Sequence, residues 1–159
     1  MPSGQGTDWG SDAQDPPEDP HQRIIDLLAA TVDRLKSTLP DAEVGGLLEV
    51  GGALRHTAHA GSLRMIWEVP REQGGVAWRA VASGEVQLVG DVRRDPDYLA
   101  SDARVRSEIA APVIWRDTVV AVLDVEFPER VFTAGEAAIV RAEAERLGRD
   151  LSGRPGQRS

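Results

Sequence analysis

The chain has 159 residues, enough for one domain with a real core and too few for two, and it carries 26 acidic against 18 basic side chains for a formal net charge of −8. It contains no cysteine, which excludes disulfides, thiolate catalysis, Cys-ligated zinc and a cofactor attached through sulfur. With no basic-then-apolar leader, no apolar run near the ~20 residues that span a bilayer and no cluster of Lys and Arg, the expectation is a cytoplasmic, soluble protein that binds neither nucleic acid nor membrane.

Residues 1–20 are rich in Gly, Pro, Asp, Ser and Gln, and Asp8, Asp12, Asp15, Glu18 and Asp19 carry five of the eight net negative charges. Such a segment cannot bury enough surface to offset its ordering entropy, and a disordered acidic tail is expected there. Asp19-Pro20 fits an N-cap followed by a first-turn proline. Ile25, Leu28, Val32, Leu35 and Leu39 then recur at helical spacing over 21–39, and Pro40 stops the helix. Residues 43–50 and 53–60 have strand character on either side of Gly51-Gly52, a pair suited to a tight hairpin. A weaker strand is expected over 63–69, a short helix over 76–83 ended by Gly84, a strand over 86–89, and an irregular polar segment over 93–102. Two long apolar runs follow, 106–115 and 117–126, separated by Arg116-Asp117, which favours an antiparallel pair. Thr133 and Glu136 fit a capping box, and Ala137, Val140, Ala144, Leu147 and Leu151 repeat the helical stripe. The pattern describes an α+β domain over 21–151 with a mainly antiparallel sheet and its terminal helices on one face, closed by a flexible tail over 152–159.

Five stretches carry a resemblance: GGVAWRAVASGEVQLVGDV at 74–92, DPDYL at 95–99, RSEIAAPV at 106–113, VVAVLDVEF at 119–127 and FTAGE at 132–136. Together they resemble the GAF domain, the fold of many small-molecule sensor modules, over roughly residues 21–151. The resemblance implies a profilin-like α/β/α sandwich that binds ligands between one sheet face and the connecting loops, and that dimerises through its terminal helices. Within that fold the chain is similar to the stand-alone free methionine-(R)-sulfoxide reductases. Where that group has a Gly-Val-Cys-Gly motif and a second cysteine before an Asp, this chain has Gly75-Val76-Ala77-Trp78 and Ala100-Ser101-Asp102. The group's third cysteine falls near Trp67. Sulfoxide reduction of that kind needs an attacking thiolate and a resolving thiol, and the Ser101 hydroxyl is far too basic to replace either.

The same resemblance places Glu108, Asp124 and Glu126 at acidic positions near the pocket, where they would contact the polar groups of an amino-acid ligand. The competing reading of the residues themselves puts the carboxylates at a sheet edge in water, or paired with Arg104, Arg106 or Arg130. Strand periodicity sets Asp124 and Glu126 on one face with Val120 and Val122. Trp67, Trp78, Asp91, Tyr98, Ser101 and Ser107 complete the candidate ligand-binding set, with Trp78 expected to fill part of the old pocket if that pocket is closed. His56 and His59 are an odd number of residues apart, which sends them to opposite faces of a strand, so neither a metal site nor a cofactor is expected. The mixed charges of 92–106 read as a solvated loop.

These observations lead to the expectation of a non-catalytic small-molecule-sensing or regulatory module. A chain of this length leaves no room for an attached output domain, so its signal is expected to pass through a protein partner, with homodimerisation through the terminal helices a further expectation. A divergent reductase-like protein with a cysteine-independent reaction and a ligand-free assembly module are the alternatives.

Overall fold

The computed structural model of the chain describes residues 19–153. The expected tails over 1–18 and 154–159 lie outside the described residues. Helix α1 (Pro20–Thr38) opens on Asp19, whose carboxylate accepts the His21 amide at 3.0 Å, so the domain begins just inside the expected tail boundary. Strands β1 (Glu43–Val50) and β2 (Ala53–Ala60) form the expected hairpin, with Gly51 and Gly52 both at positive φ. Strand β3 is much shorter than the sequence suggests, Glu68–Pro70, and residues 61–67 run as a loop instead. Helix α2 (Val76–Ser83) and strand β4 (Gln87–Val89) follow, then the long pair β5 (Val105–Trp115) and β6 (Thr118–Pro128). Arg116 and Asp117 make the turn between them at positive φ, the conformation that usually selects Asn or Gly. Helix α3 (Ala134–Ser152) starts with the complete Thr133–Glu136 capping box.

The six strands form one antiparallel sheet in the order β3-β2-β1-β6-β5-β4. Helices α1 and α3 cover one face, packing Leu28, Leu35, Val140 and Leu147 against Val44, Ile109, Leu123, Val125 and Phe127. The other face carries α2 and the connecting loops over a second core of Leu47, Leu54, Val76, Trp78, Ala110 and Val122. Alternation along β6 sends Leu123, Val125 and Phe127 to the helix pair, and Val122, Asp124 and Glu126 to the α2 side. Val120 departs from the expected alternation. Val113 pairs Ala121 and Ile114 pairs Val119, so Val120 is the extra residue of a bulge and packs on the helix-pair core.

Candidate functional site

Charge is concentrated where three neighbouring strands pass under α2. In register, Glu43 of β1 lies opposite Glu126 of β6, and Glu126 lies opposite Glu108 of β5. Asp124 sits two residues along β6 on the same face. Like charges directly across a sheet repel, so this row costs stability that the rest of the fold must offset. Carboxylate oxygens of Glu108, Asp124 and Glu126 all lie within 4.8 Å of one another. They line a cavity of about 60 Å³ walled also by Leu47, His56, His59, Val69, Ala77, Leu99 and Ser101. That space holds roughly four to six waters, or a compact polar ligand of similar size.

Among the described residues no Lys or Arg forms an ion pair with these three carboxylates. The arginines proposed as partners are engaged elsewhere: Arg104 with Asp102 at 2.8 Å, Arg106 with Asp91 at 3.7 Å, and Arg130 with Asp41 and Glu136, each at 2.6 Å. Arg64 stands exposed at the rim, with its amide bonded to Asp102 at 3.3 Å. Burial pushes the Glu108 carboxyl well above the usual range, and the Asp124 charge adds to the effect. Glu126 is pushed up in the same way, by burial first and then by Asp124 and Glu43. Glu108 Oε2 and Asp124 Oδ1 are buried with no hydrogen-bond partner.

The histidines correct the sequence reading. Gly45 pairs with His59, Gly46 with Ala58 and Leu47 with His56, so Thr57 is an extra residue in β2 and the bulge resets the alternation. His56 and His59 therefore share the α2 face, with ring centroids 6.3 Å apart, and both line the cavity. His59 Nε2 is 3.1 Å from Glu43 Oε2, while Glu43 Oε1 accepts the Ser62 amide at 2.8 Å. The His56 ring lies over Gly45, where a Cβ would come within 2.7 Å of Nε2, and Gly45 is paired with Asp124. Only glycine lets the imidazole cross β1 toward that carboxylate. Burial lowers the pKa of His56, and the Asp124 charge opposes the shift. His56 and His59 were missed as site residues because nothing in the local sequence announces the bulge, and Glu43 because its place opposite Glu126 depends on the register between β1 and β6.

The other candidates divide. Ser101 and Ala77 both line the cavity. Tyr98 packs beside the pocket on the α2-side core. Its phenol is raised by burial and then by the charges of Glu126 and Glu108. Trp78 points away from the cavity into the same core, 5% exposed, and its indole donates to the Val69 carbonyl at 2.9 Å. Trp67 is 66% exposed, its ring edge-on to His56 at 6.4 Å. Asp91 caps the turn at Val92–Arg94 and pairs with Arg93 at 3.0 Å, and its pKa is lowered to about 2, chiefly by Arg93. Ser107 faces the segment before α3, donating to the Arg130 carbonyl at 2.8 Å and accepting the Phe132 amide at 3.1 Å. Trp67, Trp78, Asp91 and Ser107 thus stand outside the cavity wall.

The family model for the GAF domain matches residues 23–151. This chain belongs to the GAF domain family. Family members are commonly regulatory or small-molecule-sensing modules. Among solved structures, this GAF domain is similar to the type II free methionine-R-sulfoxide reductase of Thermoplasma acidophilum, at 22% identity and a TM-score of 0.73 over 84% of this chain and 95% of that one. It is similar also to the free methionine-R-sulfoxide reductase of Neisseria meningitidis in complex with its substrate, at 27% identity and a TM-score of 0.72 over 81% and 78% of the two chains. Among curated proteins it matches YtsP of Bacillus subtilis at 39% identity over 54 residues, 34% of this chain and only 33% of that protein's length. Likeness at these levels speaks for the fold. The GAF sheet brings Ala77, Ser101 and the three carboxylates to one cavity, but a chain without any cysteine has no thiol to attack or resolve a sulfoxide there. Among the described residues no helix is long and apolar enough to cross a membrane.

Proposed function

We propose that this GAF domain is a non-catalytic sensor whose pocket takes a small ligand with a positively charged group, held against Glu108, Asp124 and Glu126. One observation carries the reading: three buried or half-buried carboxylates converge within 4.8 Å in a cavity, with no cationic side chain paired to them among the described residues. Uncompensated buried charge is costly, and a cationic ligand supplies the missing partner. The opposite wall supports a polar ligand too. Gly75, Val76 and Ala77 bring the start of α2 to the cavity, and that helix has no side-chain cap on its first-turn amides. The two solved reductases named above act on a free amino acid, which joins a cationic to an anionic group, and such a compound suits these two walls. Trp78 outside the cavity weighs against the assembly module with a filled pocket.

The signal passes to another protein when the occupied pocket changes the loops over it, with the exposed terminal-helix faces available for association with a second copy or a partner. Calorimetric titration of the full chain with free amino acids and simple primary ammonium compounds tests the proposal. Saturable binding that Asp124→Asn abolishes is expected. Failure of every such compound and of simple cations to bind overturns it, and turnover of free methionine sulfoxide by the purified protein overturns the non-catalytic reading.

A further inference from the structure

Resting on that reading of the pocket, we infer that residues 61–67 are a strap that closes over the bound ligand, and that Glu43 is the positioning residue that latches it. The strand expected here is a loop, and it walls the cavity with Leu63, Arg64, Met65 and Ile66. With no neighbouring strand to hold it, the loop is tied down at separate points along its length. The Ser62 amide donates to Glu43 Oε1 at 2.8 Å, the Arg64 amide to Asp102 at 3.3 Å, and the Trp67 carbonyl accepts the His56 amide at 2.9 Å. Glu43 and His56 both line the cavity, so each end of the loop is held by a residue of the pocket itself.

The first anchor is built around one carboxylate. Gly61 lies at a φ of 143°, and a Cβ there would collide with the Glu43 carboxyl, so glycine lets the chain fold down directly over that group. Glu43 is 9% exposed, its Oε2 lies 3.1 Å from His59 Nε2, and its cross-strand neighbour is Glu126. The latch therefore feels the same negative charge that a cationic occupant neutralises. An occupant that relieves this repulsion and packs its apolar part against Leu63, Met65 and Ile66 binds the closed arrangement better than an open one, as a ligand-driven shift requires. Trp67, 66% exposed at the far end of the loop and edge-on to His56, carries the change to the surface.

Hydrogen–deuterium exchange of the full chain, with and without saturating free methionine or butylammonium, tests the strap, and stopped-flow tryptophan fluorescence with the same compounds tests the latch. Ligand should slow exchange across 61–67 by ~10-fold or more. Glu43→Ala should abolish that slowing and speed ligand dissociation by ~10-fold without slowing association, a split that loss of folded protein does not produce. Gly61→Ala should act in the same direction with the carboxylate still present. Circular dichroism checks that both variants fold, and Gly61→Ala tests the inference by itself if Glu43→Ala does not. Binding that leaves exchange over 61–67 unchanged, or rates indifferent to both variants, overturns the strap and leaves the cation pocket standing. If neither compound binds, both readings fall.

Discussion

Glu108→Gln should make the ligand-free protein more stable at mildly alkaline pH, an unusual outcome for a buried residue. In the native chain Glu108 faces Glu126 directly across β5 and β6, and its carboxylate oxygen lies within 4.8 Å of those of Glu126 and Asp124. At that separation each fully charged pair repels by about 3.5 kcal/mol for an effective dielectric of ~20, a ceiling that proton uptake and relaxation reduce. A realised gain of ~1–3 kcal/mol is expected, because the amide removes the charge and offers a donor to the unpartnered Asp124 oxygen. For a domain of this size that corresponds to roughly 3–10 °C in Tm. The Glu108 carboxyl is raised well above its ordinary 4.5, so over a window above that value the folded chain keeps a proton that the unfolded chain has lost. Stability of the native sequence therefore falls as pH rises through that window, and the gain from the substitution shrinks toward zero near ~pH 5. Thermal melts at ~pH 5 and ~pH 8 measure both effects. Equal Tm values for the two proteins at the higher pH, or native stability that does not fall as pH rises, would refute the electrostatic account.

Three further outcomes follow from neighbouring features. Gly45→Ala places a methyl 2.7 Å from the His56 ring, and a loss of ~1–3 kcal/mol by chemical denaturation is expected together with weaker ligand binding; an unchanged midpoint would contradict the tight crossing over β1. Arg130 holds the Glu136 carboxyl down to about 2, so this pair contributes stability above the ordinary 4.5 that is lost as pH falls toward 2. Glu136→Gln should accordingly flatten the acid side of the stability profile, as read by melts over that range. Phe127→Ala, removing a ring with 0% exposure between the sheet and the terminal helices, should cost ~3–5 kcal/mol in a urea titration, and a cost below ~1 kcal/mol would remove it from the core.

Local periodicity was sufficient for the elements because each depends on interactions a few residues apart. The stripe from Ile25 to Leu39, the Asp19 cap, the glycine hairpin and the Thr133–Glu136 box all act within one or two turns of chain, and all form where their residues require. Residues 63–69 misled because alternating side chains signal a strand only where a neighbour supplies hydrogen bonds, and of that stretch only Glu68 and Val69 pair in register with β2. The acidic residues were visible as an anomaly at the ends of apolar runs. That they converge, and that the nearby arginines turn to Asp41, Asp91, Asp102 and Glu136 instead, depends on which strands become neighbours.

The sequence by itself therefore determined the helices, the long antiparallel pair, the GAF architecture and the absence of any thiol chemistry, since these follow from local spacing, motif and composition. The tertiary structure alone decided the contents of the pocket. Two bulges, at Thr57 and Val120, shift the alternation by one residue, and in a strand a one-residue shift exchanges the faces: it brought His56 and His59 together beside the carboxylates and sent Val120 to the other core. The register between β1, β6 and β5, fixed by both cores at once, set Glu43, Glu126 and Glu108 in a row that no stretch of chain contains.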